Sequence, residues 1–462
     1  MLQKDAIVAD LTCNKMQNSD IIGIAKVVHM LRRKIVKHLI EWKNNPKKVA
    51  LLLKGARQVG KTTSVREFGK TNYDSFIEIN FEQSPLARRA FDGNLDARTI
   101  ILNLSAMGYG PFIEGKTLVF FDEIQSCPNA RTSIKFLVED GRFEYIESGS
   151  LLGINYKDVS SYPVGFEEQL HMFPLDFEEF LWAKGMAQDV IDTARDAFNS
   201  VSSVPDFLHE QLMRQYREYM IAGGMPGVVN AFLANDDFSQ TLRVQNIVLG
   251  SYRDDIAKYA DKEKDKAKAV FDAIPEQLNK RNKRFILASL EKGANSRKYE
   301  QATMWLSEAG IAYHCFNITA LELPLSFSEK RNLYKLYMLD TGLLCAMTMD
   351  GIQNAVLSGD IRINEGAVAE NTVAAELAKR GIPLYYYDKK TRMELDFLFK
   401  DDGRLSVIEV KSGNDYRRHT ALDNACADNP GKLYRRVVLC KGNVESAADG
   451  MIYLPLYMAM FF

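Results

Sequence analysis

Gly55-Ala56-Arg57-Gln58-Val59-Gly60-Lys61-Thr62 has the spacing G-x-x-x-x-G-K-[ST], after the apolar run Val49 to Leu53 and before a helix-length segment. Glycines at 55 and 60 let the backbone curl so that successive N–H groups point inward. A helix opening at the lysine adds the positive end of its dipole. This chemistry suits a polyphosphate. Residues 55 to 63, the last being Thr63, would cradle ATP; Lys61 would bridge its β and γ phosphates, and the Thr62 hydroxyl would hold Mg²⁺.

Sixty residues on, the apolar strand Thr117 to Phe121 ends in Asp122 and Glu123, which places two carboxylates at the carboxyl edge of a sheet, where open α/β folds bind ligands. Asp122 would organise the Mg²⁺ shell, and Glu123 would polarise the attacking water. A further strand, Phe143 to Ile146, runs into Glu147-Ser148-Gly149-Ser150. Ser148 would either sense the γ-phosphate or belong to a plain polar turn.

A second group of acids lies near the other end of the chain. Glu394 to Phe399 and Leu405 to Lys411 alternate as strands, and Asp402-Gly403 between them is a two-residue hairpin signal. Pairing residue 401 with 404 sets Asp396 opposite Glu409, about 4.5–5.5 Å apart at Cβ, and Glu394 opposite Lys411 on the same face. Facing carboxylates repel unless a cation or shared proton relieves them. Glu370 shares a helical face with Val373, Ala374 and Leu377 and is expected to point at this sheet as a third acid. Asp396, Glu409 and Lys411 match the PD-(D/E)xK nuclease pattern, in which acids hold Mg²⁺ and the lysine activates water. Pro383 is not followed by an acid, so the name-giving pair is absent. Ion pairs of Glu394 or Glu370 with Lys411, in a fold without chemistry, are the alternative.

These groups must be carried by several elements. Leu31, Ile35, His38, Leu39 and Trp42 form one stripe of a helix over residues 30 to 42. Near-continuous apolar strands alternating with helices predict a parallel α/β sheet from 49 to about 152. Residues 1–27 are read as a tail, 28–185 as the ATPase core, 186–260 as a helical lid, 261–330 as a winged-helix-like region with strands at 312–316 and 321–325, and 331–462 as a second α/β domain. Lys280-Arg-Asn-Lys-Arg284 and Ser296-Arg-Lys298 are the basic runs of the winged-helix region; residues 280 to 298 could contact DNA phosphates, with Asn295 or Arg297 reaching base edges. A solvated helix face is the plainer reading.

With 59 Lys+Arg against 60 Asp+Glu, the chain has no single-signed field, so any nucleic-acid surface is local. Its six cysteines include no Cys-x-x-Cys pair, which points to reduced thiols and no zinc site. No apolar run reaches membrane-spanning length, and a cytoplasmic protein without a membrane partner is expected.

Long motifs in order carry a resemblance covering about residues 28 to 460. They are Gly55-Ala-Arg-Gln-Val-Gly-Lys-Thr62, Phe121-Asp-Glu-Ile-Gln125, Ser148-Gly-Ser150, Phe173-Pro-Leu-Asp-Phe-Glu-Glu-Phe-Leu181, Gly223-Gly-Met-Pro226, Lys335-Leu-Tyr-Met-Leu-Asp-Thr-Gly-Leu-Leu344, and Glu394-Leu-Asp396 with Ile408-Glu-Val-Lys-Ser-Gly413. The chain resembles AAA+-like P-loop ATPases of bacteria and archaea with a C-terminal domain of unknown function. The resemblance implies an ATPase core, a helical lid, a winged helix and a restriction-endonuclease-like C-terminal domain. One departure is Phe166 in Pro163-Val-Gly-Phe166, where many relatives have arginine; Arg253 is a weak substitute for that charge. The expected function is Mg²⁺-dependent ATP hydrolysis coupled to a nucleic-acid-related C-terminal module. An ATP-regulated metal-dependent nuclease and a DNA-binding ATP switch with little turnover stay open, as does assembly into a homo-oligomer.

Overall fold

Strands buried at every position require cover on both faces, and that condition organises the first half of the chain. The computed structural model describes residues 30–150, 163–234, 238–280, 282–349, 353, 356, 365–389 and 393–462; the expected tail, 1–27, lies outside them. Helix α1 (Ile35–Asn44) leads into β1 (Ala50–Gly55), α2 (Lys61–Asn72), β2 (Ser75–Asn80), α3 (Ala97–Ala106), β3 (Thr117–Asp122), α4 (Pro128–Asp140), β4 (Glu144–Ser150) and β5 (Glu167–His171). Ile35, Leu39 and Trp42 of α1 are buried as the stripe predicts, whereas His38 is exposed.

The five strands form one parallel sheet in the order β2-β3-β4-β1-β5. β1 and β3 are buried throughout. Their alternate residues feed two cores: Leu51, Leu53, Leu118 and Phe120 on one face, and Leu52, Val119 and Phe121 on the other.

The predicted helix-rich region follows as α5 (Phe177–Ala183), α6 (Gln188–Ser200), α7 (Asp206–Ala222), α8 (Pro226–Ala234) and α9 (Phe238–Tyr259). Asp176 starts α5 with a capping box: its carboxylate accepts from Glu179 N, and the Glu179 carboxylate accepts from Asp176 N.

The winged-helix expectation is corrected by the strand pairing. After α10 (Lys264–Asn279) and α11 (Ser296–Glu308) come β6 (Ala312–Ile318) and β7 (Glu329–Met338); the expected strand at 321–325 is not formed. β6 pairs with β7 on one side and in parallel with β8 (Tyr385–Asp388) on the other, so these strands belong to the C-terminal sheet and the boundary at 330 falls inside β7. Between β7 and β8 lie α12 (Thr341–Thr348) and α13 (Glu365–Lys379); β9 (Glu394–Asp401), β10 (Arg404–Val410), α14 (Thr420–Asp428), β11 (Arg436–Cys440), β12 (Glu445–Ser446) and β13 (Met451–Pro455) follow. The eight-stranded mixed sheet runs β12-β13-β11-β10-β9-β8-β6-β7.

One buried cluster runs from Leu53 and Phe120 of the first sheet through Phe177, Tyr216, Tyr252 and Leu343 to Phe397 and Val437 of the second. Two motif glycines permit the close approach. A Cβ at Gly224 would lie 2.0 Å from the Leu175 carbonyl oxygen, and one at Gly342 would lie 2.1 Å from that of Ala222. Asp340 spans the same junction, accepting from Gly224 N at 2.6 Å and capping α12 through Leu343 N at 3.1 Å. Among the described residues, no helix is long and apolar enough to cross a membrane.

Candidate active site

The turn from β1 to α2 is built as the motif requires. Gly55 has no room for a side chain, since a Cβ would sit 2.3 Å from the Met172 carbonyl oxygen, and Gly60 has φ of 99° in the left-handed region. Ala56 and Val59 are buried, Arg57 and Gly60 half-buried, and Gln58 exposed; Thr63 is exposed on the first turn of α2. Lys61 is buried, and its Nζ donates to the Gly55 and Ala56 carbonyls at 3.0 Å each. Burial pushes its pKa down to about 8, against the pull of Glu123 and Asp122.

Asp122 ends β3 as the hub of the site. It accepts from Thr62 Oγ1 at 3.1–3.2 Å, from Asn80 Nδ2 at 2.8 Å, and from Ser148 Oγ. Burial raises its pKa, while the hydrogen bonds from Ser148, Thr62 and Asn80 oppose that shift. Parallel pairing of β2 with β3 sets Asn80 beside Asp122, a placement that only the register supplies. Hydroxyl and carboxylate oxygens converging beside a lysine suit a hard divalent cation and a phosphate.

Glu123 follows in left-handed backbone, φ 54° and ψ 48°, which for a glutamate costs on the order of 1–3 kcal/mol. The kink takes its side chain off the strand to Gln125 Nε2 at 2.5 Å. Strain of this kind clusters at functional positions, and it separates Glu123 from Asp122 within one dipeptide.

Three arginines define the surroundings. Arg253, the weak substitute candidate, pairs with Asp272 of α10 at 2.9 Å. Arg57 pairs with buried Asp255 of α9 at 3.1 Å; Tyr252 Oη donates to the Arg57 carbonyl at 3.0 Å, and Gln58 reaches Ser251 at 3.1 Å. α9 therefore grips the phosphate loop through three residues of Ser251-Tyr-Arg-Asp-Asp255. Arg33, buried ahead of α1, donates to Val59 O at 2.8 Å, Phe173 O at 2.7 Å and Glu179 Oε1 at 3.1 Å. Sequence reasoning missed Arg33 and Asn80; Glu179, a carboxylate inside the Phe173–Leu181 motif, is the signal that could have pointed to the first of them.

The C-terminal acids also meet, around a different cation from the one expected. The hairpin register is as predicted, from Arg404↔Asp401 to Ile408↔Phe397, with Asp402 and Gly403 both at positive φ. Asp396 Oδ2 accepts from Val410 N at 2.9 Å, and Lys411 Nζ lies 2.7 Å from Glu409 Oε1. Glu394 does not pair with Lys411, nor does Glu370. Both meet Lys335 Nζ, at 2.7 and 3.0 Å, with Asp396 3.7 Å away. Glu370 also binds Lys283, and Tyr337 Oη donates to it at 2.5 Å. Among the described residues, no group of three or more His, Cys, Asp or Glu is arranged to hold a metal ion. Each acid of the expected Mg²⁺ set has a lysine beside it, Glu370 with Lys335 and Lys283, Asp396 with Lys335 and Glu409 with Lys411, while Glu409 Oε2 is buried without a hydrogen-bond partner.

Three lysines of the basic run are paired, one of them inward and two at the surface. Lys283 turns inward to Glu370, Lys280 pairs with Glu276 at 2.7 Å, and Lys298 pairs with Glu291. Asn295 caps α11 by accepting from Lys298 N at 3.1 Å, which is where its side-chain oxygen goes. Arg297 is exposed; residue 281 lies outside the described residues.

Residues 47–181 match the family model described as AAA domain; residues 213–354 and 365–458 each match a domain of unknown function, DUF8612 and DUF4143. No curated protein matches the chain in sequence. Among solved structures, the Orc1 protein of Aeropyrum pernix in complex with DNA is 12% identical, covers 70% of this chain and 92% of its own, and superposes with a TM-score of 0.26. Cdc6p of Pyrobaculum aerophilum is 14% identical, with coverage of 71% and 94% and a TM-score of 0.27. RuvB, the Holliday junction branch migration motor of Thermotoga maritima, is 13% identical, with 66% and 92% and a TM-score of 0.28. Such loose superpositions carry no chemistry; the AAA match and the loop geometry support a P-loop ATPase module of the AAA type at residues 47–181.

Proposed function

We propose that the chain binds ATP with Mg²⁺ at residues 55–63 and hydrolyses it, and that α9 passes the nucleotide state to the C-terminal half. The observation that carries the reading is the convergence of Thr62, Asn80 and Ser148 on Asp122, directly beside the loop that holds Lys61. Lys61 would bind phosphate, and Thr62 with Asp122 would hold the metal. Bound there, Mg²⁺ supplies charge to the phosphates during transfer. Glu123, displaced from the strand direction, would orient and deprotonate water. Ser148 would fix the carboxylate of Asp122, since its hydroxyl is already engaged there.

The coupling reading rests on α9, which touches the loop through Tyr252 and Asp255 and touches α10 through Arg253. Among the described residues of the 280–298 run, Arg284, Lys292 and Arg297 are what a nucleic-acid partner would meet, and in the nuclease alternative Lys335 stands among the acids that would hold the metal.

The test is ATP turnover by wild type, Lys61→Ala and Glu123→Gln, with and without duplex DNA, following DNA integrity in the same tubes. Lys61→Ala should lose nucleotide binding. Glu123→Gln should keep binding and lose turnover by roughly 10²–10⁴-fold, the usual scale of a general base. Undiminished turnover in Glu123→Gln would refute its role. DNA stimulation would assign a DNA partner.

A further inference from the structure

Facing carboxylates in a sheet need a cation, and the identity of that cation decides what the site can do. Seven ionisable side chains meet where β7, β9, β10 and α13 pack: Lys283, Lys335 and Lys411 with Glu370, Glu394, Asp396 and Glu409. Lys335 is fully buried, and its Nζ stands among three carboxylates at 2.7, 3.0 and 3.7 Å. The two shorter contacts are ordinary for a charge-assisted N–H···O bond. Calcium would need about 2.3–2.6 Å and magnesium about 2.0–2.1 Å from the same oxygens.

Most of the lone pairs a metal would use around Lys335 are already committed, while Glu409 Oε2, on the far side of Asp396, is buried without a hydrogen-bond partner. Glu370 Oε1 takes Lys335 and Tyr337, and its Oε2 takes Lys283. Asp396 Oδ2 takes the Val410 amide, and Glu409 Oε1 takes Lys411. A lysine reaching in from β7, a strand at the edge of the sheet, thus does by covalent attachment what a divalent ion does by coordination.

We propose that the Lys335 ammonium is the resident cation of this cluster, standing where a divalent metal ion would stand, and that removing it turns Glu370, Glu394 and Asp396 into a divalent-cation site. The C-terminal sheet then folds and works without metal, and it does not hydrolyse phosphodiesters. Lys283 ties the segment after α10 to α13 through Glu370, so the same network fastens the α10–α11 region to the sheet. This inference stands apart from the ATPase reading, because no residue of the phosphate loop enters it.

The test uses the full chain without nucleotide. Terbium, a hard trivalent probe of calcium-type sites, would be sensitised by Tyr337, whose hydroxyl binds Glu370, and the signal is followed in wild type, Lys335→Ala and the more conservative Lys335→Gln. Wild type is expected to show no terbium or calcium uptake that Asp396→Asn removes, and its thermal midpoint should be the same in millimolar calcium as in EDTA. Lys335→Ala should unfold at lower temperature in EDTA, recover in calcium, and gain a saturable terbium signal that Asp396→Asn or Glu394→Gln removes. Uptake by wild type sensitive to Asp396→Asn overturns the proposal, as does DNA cleavage by wild type lost in that variant. A folded Lys335→Ala or Lys335→Gln protein blind to terbium and calcium also overturns it. If neither variant folds, the wild-type arm alone decides by the same criterion.

Discussion

Replacing Arg33 by alanine removes a guanidinium that touches the phosphate loop, the strand-to-helix turn at Phe173 and the capping box of α5 in a single step. The carboxylate left behind, Glu179, is 5% exposed and retains the Lys34 and Asp176 amides as donors. Breaking a buried ion pair by deleting one partner costs about 3–5 kcal/mol, since the other charge stays buried. The three hydrogen bonds lie within that figure and are not added to it. The Val59 and Phe173 carbonyls also lose their charged donor, which loosens the loop between Gly55 and Gly60. Arg33→Ala should therefore lower the urea midpoint by an amount equivalent to about 3–5 kcal/mol and weaken a fluorescent ATP analogue. Arg33→Lys restores a charge near Glu179 without the planar fork and should recover part of the stability but little of the affinity. Combining Arg33→Ala with Glu179→Gln should cost less than the sum of the single changes. An Arg33→Ala protein with an unchanged midpoint, and with nucleotide affinity within about twofold of wild type, would refute the argument that Arg33 is the brace of the loop.

Asn80→Ala takes one of three donors from Asp122; a hydrogen bond to a charged group is worth about 1.5–3 kcal/mol, so kcat/KM for Mg·ATP should fall roughly 10- to 100-fold. Turnover unchanged across a magnesium titration would count against Asp122 as the hub. Glu409 has its pKa pushed up to about 8, first by burial and then by Asp396, against Lys411. Because the folded value lies above the ordinary one near 4.5, the folded state holds the extra proton between these limits. Stability from this group is then present at low pH and lost as pH rises toward 8, by at most ~1.4 kcal/mol per pH unit. Glu409→Gln should flatten the fall in urea midpoint between pH 5 and about 8 and exceed wild type at the upper end; parallel curves for the two proteins would show that Glu409 is ionised throughout.

What could be read directly from the chain was short in range. The strand, glycine loop and helix at 50–72 declare themselves because turn, dipole and apolar run are consecutive. The hairpin at 401–404 does so because two residues of positive φ set the register for both strands as far as Ile408↔Phe397, next to Asp396 and Glu409. Buried strands on both faces of the first sheet likewise follow from their unbroken apolar character.

The partners that complete those groups are far away in sequence, and composition carries no trace of them. Asn80 meets Asp122 through the register of a parallel pair, and β6 finds β8 across nearly seventy residues, which turns an expected wing into the middle of a sheet. Arg253 and Arg57 are both arginines near one motif; packing alone sends the first to Asp272 and the second to Asp255. The acids of the C-terminal cluster announced that a cation was needed, since like charges at close range repel in any fold. That the cation is Lys335, a buried side chain 61 residues before Asp396, was set by which strand lies at the sheet's edge and how far its side chain reaches inward.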